Sequence, residues 1–182
     1  MTEFEKFQAV IARLRAPGGC PWDREQTHAS LKPACIEEAA EVISGINILE
    51  KTGSAENLKE ELGDLLLQIV MHAQIAEEEG LFTMDDVIRG VTEKMIRRHP
   101  HVFGEEHIET SGAVLDRWEE IKKKEKAEKA AAGGISGPDE MPYLFEAFRE
   151  AEALIGVARK RKERKPETGD GSNAIRIAKG SK

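Results

Sequence analysis

The sequence predicts an all-α fold in which the helices pack as a bundle. Apolar residues recur every three or four positions through most of residues 2–162, and no segment sustains the alternating pattern of a β-strand. Glycine and proline fall between the periodic segments, where they separate one helix from the next. The 182 residues suit one domain, or one domain with an appendage.

The first three predicted helices cover about residues 2–15, 30–51 and 54–79. A capping box formed by Thr2 and Glu5 begins the first helix, and a loop rich in glycine and proline over residues 16–23 follows it. Pro33 is expected in the permissive first turn of the second helix. Ser54 is expected to cap the third helix, which stops before a glycine.

Three further helices are predicted over about residues 83–99, 111–131 and 142–162. Thr83 with Asp86 starts the first of them, and Pro100 ends it. Glycines and a proline over residues 133–138 indicate a hinge before the last helix. Residues 164–182 have the composition of a basic linker with little to bury, and we expect them to be a disordered tail.

Charge and composition exclude several classes of protein. Lys and Arg number 27 against 34 Asp and Glu, and the resulting net charge of −7 argues against stable nucleic-acid binding. No apolar run approaches the roughly 18 residues of a membrane span, so no membrane association is expected. Cys20 and Cys35 form no CxxC pair and are expected to be reduced thiols, which is typical of a cytoplasmic protein.

Acidic residues three positions apart lie beside apolar faces on the second and third predicted helices. Glu38 and Glu41 share one face of the second helix. Glu61 and Asp64 form a narrow stripe on the third helix, which is otherwise apolar on nearly all sides. A helix of that kind is expected to be buried, and a buried carboxylate needs a positive partner.

These carboxylates are open to two interpretations. The first is that they bind a divalent cation, since no basic residue lies in either acidic stripe. Ligation by carboxylate oxygens, without cysteine or a histidine cluster, suits Mg²⁺ or Mn²⁺ better than Zn²⁺. The second is that these are ordinary solvated helix faces, since Glu is a good helix former. For the four acidic residues together we favour the metal site.

The acidic pattern also resembles that of a known family. Residues 37–41, EEAAE, and 61–64, ELGD, match the EExxE…ExxD signature of the MazG nucleotide pyrophosphohydrolases. Three further blocks resemble segments of that family in the same order: GCPWDREQTH at 19–28, KMIRRHPHVF at 94–103 and WEEIK at 118–122. The resemblance covers about residues 5–126, a single MazG unit. It predicts a MazG-like domain over residues 1–131, followed by a hinge and a C-terminal helix over 132–163.

The resemblance implies an enzyme that hydrolyses a nucleoside triphosphate to the monophosphate and pyrophosphate, with Mg²⁺ as cofactor and Mn²⁺ as a substitute. It implies a helical bundle whose four-helix core is completed in a homodimer or a higher homo-oligomer. The family's metal ligands correspond to Glu38, Glu41, Glu61 and Asp64. Its positions that contact phosphate and nucleotide correspond to Lys94, Arg98, Trp118 and Lys122.

Further candidate roles fall next to these motifs. Glu37 is the candidate general base, or the residue that orients the water, beside Glu38, which we also place in the catalytic centre. Trp22 and Asp23 lie on the loop rich in glycine and proline and are candidates to close over the nucleotide. Gln68 is placed to hydrogen-bond a ligating carboxylate. A solvated Glu37 and a Trp22 that only seals the bundle are the alternatives.

Three functional interpretations differ in what the site does. We favour a house-cleaning enzyme that removes non-standard or surplus nucleotides. The second is a narrower all-α hydrolase that acts on dUTP or phosphoribosyl-ATP, which the CPWD and RRHPHVF blocks disfavour. The third is a non-catalytic helical module that senses divalent ions or nucleotides, or binds a partner. Base and sugar preference are not indicated, because an aromatic ring such as that of Trp118 stacks on any base.

Overall fold

The structure is a computed structural model that describes residues 1–163, and in that range it is built from helices without strands. The all-α prediction is therefore confirmed for the described part of the chain. The α-helices are α1 Glu3–Arg15, α2 Pro21–Glu25, α3 His28–Thr52, α4 Glu56–Glu78, α5 Met84–Arg98, α6 Pro100–Phe103, α7 Ser111–Ala131 and α8 Met141–Glu163, and a 3₁₀ turn covers Gly137–Glu140. The predicted tail over residues 164–182 lies outside the described residues.

Two predicted capping boxes are confirmed and explain where α1 and α5 begin. The Thr2 hydroxyl accepts the Glu5 N–H at 3.2 Å, and the Glu5 carboxylate accepts the Thr2 N–H at 2.6 Å. Thr83 and Asp86 repeat this exchange at the start of α5, at 3.2 and 2.9 Å. Gly53 closes α3 with a φ of 76°, a left-handed conformation that glycine adopts at low cost.

The start of α3 differs from the prediction. The helix begins at His28, because Thr27 and Ser30 form a capping box with hydrogen bonds of 2.9 and 3.1 Å. Pro33 therefore lies inside the helix, beyond its first turn, where its missing N–H costs one backbone hydrogen bond. Ser54 does not cap α4; the cap is Ala55, which makes no side-chain hydrogen bond.

Two short helices lie outside the six helices that the sequence predicts. Helix α2 overlaps the last residues of the predicted loop over 16–23, and α6 follows α5 directly. Each begins with a proline at its first position, Pro21 and Pro100, whose fixed φ suits a helix start. Helices of four or five residues are too short to show an apolar periodicity, so the sequence pattern did not reveal them.

The hydrophobic core lies at the C-terminal half of α4, where α1 and the starts of α3 and α5 meet it. Ala76 is fully buried, and Val70, Met71, Ala73 and Ile75 are nearly so. The buried residues of this core cluster are Ile11, Leu31, Val70, Met71, Ala73, Ile75 and Met84, with Phe4, Phe7, Leu14, Leu66 and Leu67 packed against them. Arg15 of α1 pairs with Glu78 at 2.8 Å and holds α1 to the end of α4.

The helices α3 and α4 form an antiparallel hairpin that approaches most closely at Gly45. A Cβ at Gly45 would lie 2.8 Å from the Cα of Leu58, so only glycine fits there without a shift of one helix. Helix α8 packs along α3, and α7 packs against α5. Among the described residues, no helix has the length and apolar character to cross a bilayer.

The expectation that α4 is buried is wrong for its outer apolar residues, and outer apolar residues of α3 are exposed as well. Ile43 and Ile46 of α3 are 60% and 40% exposed, and Leu62 and Ile69 of α4 are 51% and 44% exposed. The periodicity identified these residues as apolar, but no element of the described chain covers them. The half of the hairpin that carries the acidic residues therefore keeps an uncovered apolar surface.

Candidate active site

Three of the predicted metal ligands come together between α3 and α4. One carboxylate oxygen from each of Glu38, Glu61 and Asp64 lies within 4.8 Å of the other two. Glu38 faces α4 from the first half of α3, while Glu61 and Asp64 lie three residues apart on one face of α4. The close approach at Gly45 lies just beyond the cluster and sets the helix separation that brings these oxygens together.

The clustered carboxylates repel one another. Partial burial, followed by the charges of Glu41, Asp64, Glu37 and Glu61, raises the pKa of Glu38 to about 7. Burial and the charges of Glu41 and Asp64 also raise the pKa of Glu61. In both residues, burial and the neighbouring negative charges disfavour the ionised carboxylate. A cation placed among the oxygens would favour the ionised form and relieve the repulsion.

Glu41 adjoins the cluster but contacts a basic residue. It lies close enough to Glu61 for a hydrogen bond that contributes to the raised pKa of Glu61. Its Oε1 also contacts Nζ of Lys162, from the end of α8. Glu37, the candidate general base, contacts Arg161 and lies 3.7 Å from the Lys162 Nζ. Each of these two carboxylates is 19% exposed.

The donor set suits a hard divalent cation. Carboxylate oxygens in this number are typical ligands of Mg²⁺, Mn²⁺ and Ca²⁺, and they fit poorly with metals that prefer sulfur or imidazole. Gln68 lies one turn beyond Asp64 on α4 and is 4% exposed, and its Oε1 has no hydrogen-bond partner among the described residues. This buried acceptor is available for a water or a donor at the inner edge of the cluster.

Two histidines and a cysteine follow Gln68 along the hairpin and satisfy one another. His28 and His72 stack with ring centroids 5.0 Å apart and Nδ1 atoms 2.7 Å apart. The Cys35 Sγ lies 3.3 Å from the His72 Nε2. Burial lowers the pKa of His72 and raises that of Cys35, so both groups are neutral near pH 7. These side chains form a polar contact between α3 and α4.

Arg98 and Trp118 form a second cluster between α5 and α7. The guanidinium carbon of Arg98 lies 5.6 Å from the centroid of the Trp118 ring, in a cation–π contact. Glu125 accepts hydrogen bonds from Arg98 Nε at 2.9 Å and from Arg98 Nη2 at 2.6 Å. His99 packs edge-on against Trp118, with centroids 4.9 Å apart. The structure thus brings together two of the predicted nucleotide-contacting residues.

The two predicted lysines lie next to this second cluster. Lys94 is half-buried one turn before Arg98 on α5, and within residues 1–163 it forms no ion pair. Lys122 is one turn beyond Trp118 on α7, and its Nζ lies 3.1 Å from Glu119. Each lysine lies one helical turn from Arg98 or Trp118 on the same helix.

Trp22 and Asp23 lie in α2, near the far end of α4 from the carboxylates. The Asp23 carbonyl accepts a hydrogen bond of 2.5 Å from Arg15, which pairs with Glu78. Glu78 is fourteen residues beyond Asp64 on α4, which is about 21 Å along the helix axis. The structure does not bring Trp22 and Asp23 to the acidic cluster within one chain, and their contact with a nucleotide stays a prediction.

Three side chains that contact predicted site residues are not identifiable from the sequence pattern. Glu125 holds Arg98, while Arg161 and Lys162 contact Glu37 and Glu41. The basic run at the end of α8 is visible in the sequence, but its position on the last predicted helix does not indicate a partner. The pairing itself had no local signal, because Lys162 and Glu41 are 121 residues apart.

A family model described as the MazG nucleotide pyrophosphohydrolase domain matches residues 26–103. That segment contains all of α3, α4 and α5, and with them the acidic cluster, Lys94 and Arg98. This segment of the chain is a MazG domain. The MazG match ends before α7 and α8, so Trp118 and the basic end of α8 lie outside it.

Curated relatives are similar over a longer stretch than the MazG domain alone. A nucleoside triphosphate pyrophosphohydrolase/pyrophosphatase MazG of Thermotoga maritima is 52% identical over 129 residues, 71% of this chain and 48% of the relative. A nucleoside triphosphate pyrophosphohydrolase of Escherichia coli is 42% identical over 149 residues, 81% and 55% of the two chains. The uncharacterized protein YabN of Bacillus subtilis is 48% identical over 147 residues, 81% and 29% of the two chains. The chain therefore spans between 29% and 55% of the length of these relatives.

Proposed function

We propose that the protein is a nucleoside triphosphate pyrophosphohydrolase that uses Mg²⁺ and cleaves between the α- and β-phosphates. The observation that carries the proposal is the convergence of Glu38, Glu61 and Asp64 from two helices of the MazG domain. The names of the relatives from T. maritima and E. coli support the same reaction. The products are the nucleoside monophosphate and pyrophosphate.

The residues of the site act mainly by holding charge in place, as is usual when a phosphoanhydride is cleaved. The acidic cluster, with Glu41 as a fourth ligand, holds the divalent cation. Bound there, the cation supplies positive charge to the phosphate oxygens and to the departing pyrophosphate. Lys94 and Arg98 contact the phosphate chain from one face of α5. Trp118 offers an aromatic face to the base, with Lys122 one turn further along α7.

Two further roles belong to the same proposal. Glu37 lies beside the ligand Glu38 and accepts a proton from the attacking water, or orients that water. Trp22 and Asp23 contact the nucleotide from α2. Because α2 lies far from the acidic cluster of its own chain, this contact requires the α2 of a second copy in a homodimer.

An exposed apolar surface on α3 and α4 supports assembly into a homodimer. The exposed Ile43, Leu62 and Ile69 on the acidic half of the hairpin form an apolar surface that a second copy would bury. We propose a homodimer on that surface, which light scattering coupled to size-exclusion chromatography would test. An enzyme of this chemistry in the cytoplasm would remove non-standard or surplus nucleotides before polymerases use them.

The test of the reaction compares wild type with Glu38→Gln on a panel of ribonucleoside and deoxyribonucleoside triphosphates that includes dUTP, and on phosphoribosyl-ATP. Wild type is expected to release equal amounts of monophosphate and pyrophosphate, and only when Mg²⁺ is present. Glu38→Gln keeps the size of the side chain and removes one ligand charge, so turnover should be lost while the circular dichroism spectrum is kept. Glu50→Gln, at an exposed position of the same helix, is the matched control and should retain activity.

The outcomes separate the competing functions. Release of orthophosphate in place of pyrophosphate would refute cleavage at the α–β bond. Binding of Mn²⁺ and nucleotide by wild type without turnover of any member of the panel would favour a sensor. Turnover restricted to dUTP or phosphoribosyl-ATP would make the protein one of the narrower all-α hydrolases.

A further inference from the structure

The basic end of α8 lies against the acidic face of α3. Arg161 Nη2 contacts Glu37 Oε1, and Lys162 Nζ contacts Glu41 Oε1. The same Nζ lies 3.7 Å from Glu37 Oε1, so the ammonium sits between the two carboxylates. The partners are 124 and 121 residues apart in sequence, so the tertiary fold, and not helix neighbours, makes these contacts.

A second contact aligns α8 along α3. Lys32 Nζ lies 2.8 Å from Glu150 Oε2, near the start of α3 and the middle of α8. Around this ion pair, α3, α4 and α8 line an open cavity of about 440 Å³, to which Tyr143 and Leu154 contribute. Ion pairs therefore hold α8 against α3 at two separate places, and the packing around the first of them is loose.

Arg161 and Lys162 supply the positive charge that the hairpin itself does not. Within residues 1–163, the ion pairs made by the carboxylates around the cluster all come from these two side chains. A divalent cation that takes Glu41 as a ligand competes with Lys162 for the same oxygen. Once that oxygen is taken, the ammonium keeps only its 3.7 Å contact with Glu37, and both it and the neighbouring guanidinium stand beside a cation, where an additional anionic partner is favourable.

We propose that Arg161 and Lys162 are phosphate-binding residues, which move from Glu37 and Glu41 to the triphosphate when the cation and the nucleotide enter; this rests on the proposed function. A nucleoside triphosphate carries about four negative charges, of which one divalent cation offsets only two. The phosphate oxygens on that cation lie within side-chain reach of groups that contact its ligands. Arginine can grip two phosphate oxygens at once, and lysine adds a point charge.

The proposal predicts two opposite effects when the pair is neutralised. In Arg161→Gln/Lys162→Gln, a divalent cation alone should bind more tightly, because the competing ammonium is gone. The nucleotide, in contrast, should bind more weakly, because two phosphate contacts are lost. A role confined to packing α8 on α3 predicts no such opposition. A basic end that only blocks the site predicts tighter binding of both ligands.

The experiment measures binding in addition to turnover. Mn²⁺ alone is titrated by the electron paramagnetic resonance of the free ion, and the α,β-methylene analogue of ATP is titrated with Mg²⁺ by calorimetry. The matched control is Arg159→Gln/Lys160→Gln, which makes the same charge change one turn or less away; Arg159 pairs with Glu163 at 2.8 Å, and Lys160 is exposed. The exchange Arg161→Lys/Lys162→Arg keeps the charges and tests for rescue.

Wild type and the control should bind alike, and the test variant should bind the analogue about tenfold more weakly, in the range for two partly exposed charged contacts. The same variant should bind Mn²⁺ several-fold more tightly, and the charge-keeping variant should restore most of the analogue affinity. Unchanged or tighter analogue binding by the test variant overturns the proposal, as does equal weakening in the control or no analogue binding by wild type. If wild type binds the analogue but releases no pyrophosphate from nucleotides, the proposed hydrolase activity is refuted. The comparison of analogue binding between the test variant and the control still decides whether Arg161 and Lys162 bind phosphate.

Discussion

Replacement of Gly45 by alanine tests whether the close approach of α3 and α4 sets the geometry of the acidic cluster. The added Cβ would lie 2.8 Å from the Cα, 3.0 Å from the N and 3.3 Å from the Cβ of Leu58. Non-bonded carbon atoms pack at about 3.5 to 4.0 Å, so the two backbones must separate by about 0.7 Å or more at this point. Two of the three contacted atoms belong to the backbone, which cannot rotate away.

The expected cost follows from two opposing effects. Overpacking of this kind destabilises a protein by about 1 to 3 kcal/mol. Alanine in place of a helical glycine returns about 0.5 to 1 kcal/mol. The net loss for Gly45→Ala is therefore up to about 2.5 kcal/mol, with about 1 kcal/mol near the middle of the range. Since Glu41 lies one turn before Gly45, and Glu61 one turn after Leu58, the separation also spreads the carboxylates and weakens Mn²⁺ binding.

The assay compares denaturant unfolding and Mn²⁺ affinity of Gly45→Ala with those of Gly90→Ala. Gly90 lies inside α5, and a Cβ there would meet no atom within 4 Å. Gly90→Ala should therefore stabilise the protein by about 0.5 to 1 kcal/mol and leave Mn²⁺ affinity unchanged. If Gly45→Ala proves as stable as Gly90→Ala, or binds Mn²⁺ as wild type does, the close approach does not control the cluster.

Three further predictions concern charges. Burial and neighbouring charges raise the pKa of Glu38 from 4.5 to about 7, so without metal the folded state loses stability as pH rises through this range. In thermal melts from pH 5 to 8, Glu38→Gln should remove this loss of stability. Addition of Mg²⁺ to wild type should remove it as well. The Arg15 guanidinium lowers the pKa of Glu78 below 4.5, so the ion pair stabilises the protein above pH 4.5 and loses its effect as pH falls through the lowered pKa. Glu78→Gln should therefore cost about 1 to 2 kcal/mol of unfolding free energy at pH 7 and progressively less in acid. An unchanged cost in acid would refute the role of this ion pair. Glu125→Gln should cost about 2 kcal/mol in denaturant unfolding, because the charged hydrogen bonds from Arg97 and Arg98 then compete for one neutral amide oxygen. The exposed Glu128→Gln should stay within about 0.5 kcal/mol.

The local parts of the fold were predictable because their signals lie within a few residues. The pairs Thr2 with Glu5 and Thr83 with Asp86 specify helix starts through hydrogen bonds that they make themselves. At the start of α3, Ser30 served as the partner of Thr27, in place of the more usual acidic residue, and the helix began two residues before the predicted start. A serine in that role is a weaker sequence signal than Glu or Gln.

The acidic cluster was predictable because i, i+3 spacing on two consecutive helices places side chains on facing surfaces. The structure brings Glu38, Glu61 and Asp64 together as that spacing indicates. The partner of Glu41 could not be predicted, because Lys162 reaches it from a helix remote in sequence. Periodicity also marked Leu62 as apolar without saying what covers it, since a pattern within one helix carries no information on its neighbours.

The clustered acidic residues all lie on a single helical hairpin, and this affects the order of folding. The loop over residues 53–55 between α3 and α4 is short, so closing the hairpin costs little chain entropy and is expected to happen early. The acidic side chains then meet before Lys162, 121 residues from Glu41, has been brought to them. Until α8 docks, repulsion between the carboxylates of α3 and α4 opposes formation of the hairpin. A divalent cation present during folding is expected to neutralise these carboxylates in place of α8 and to accelerate the packing of α3 on α4.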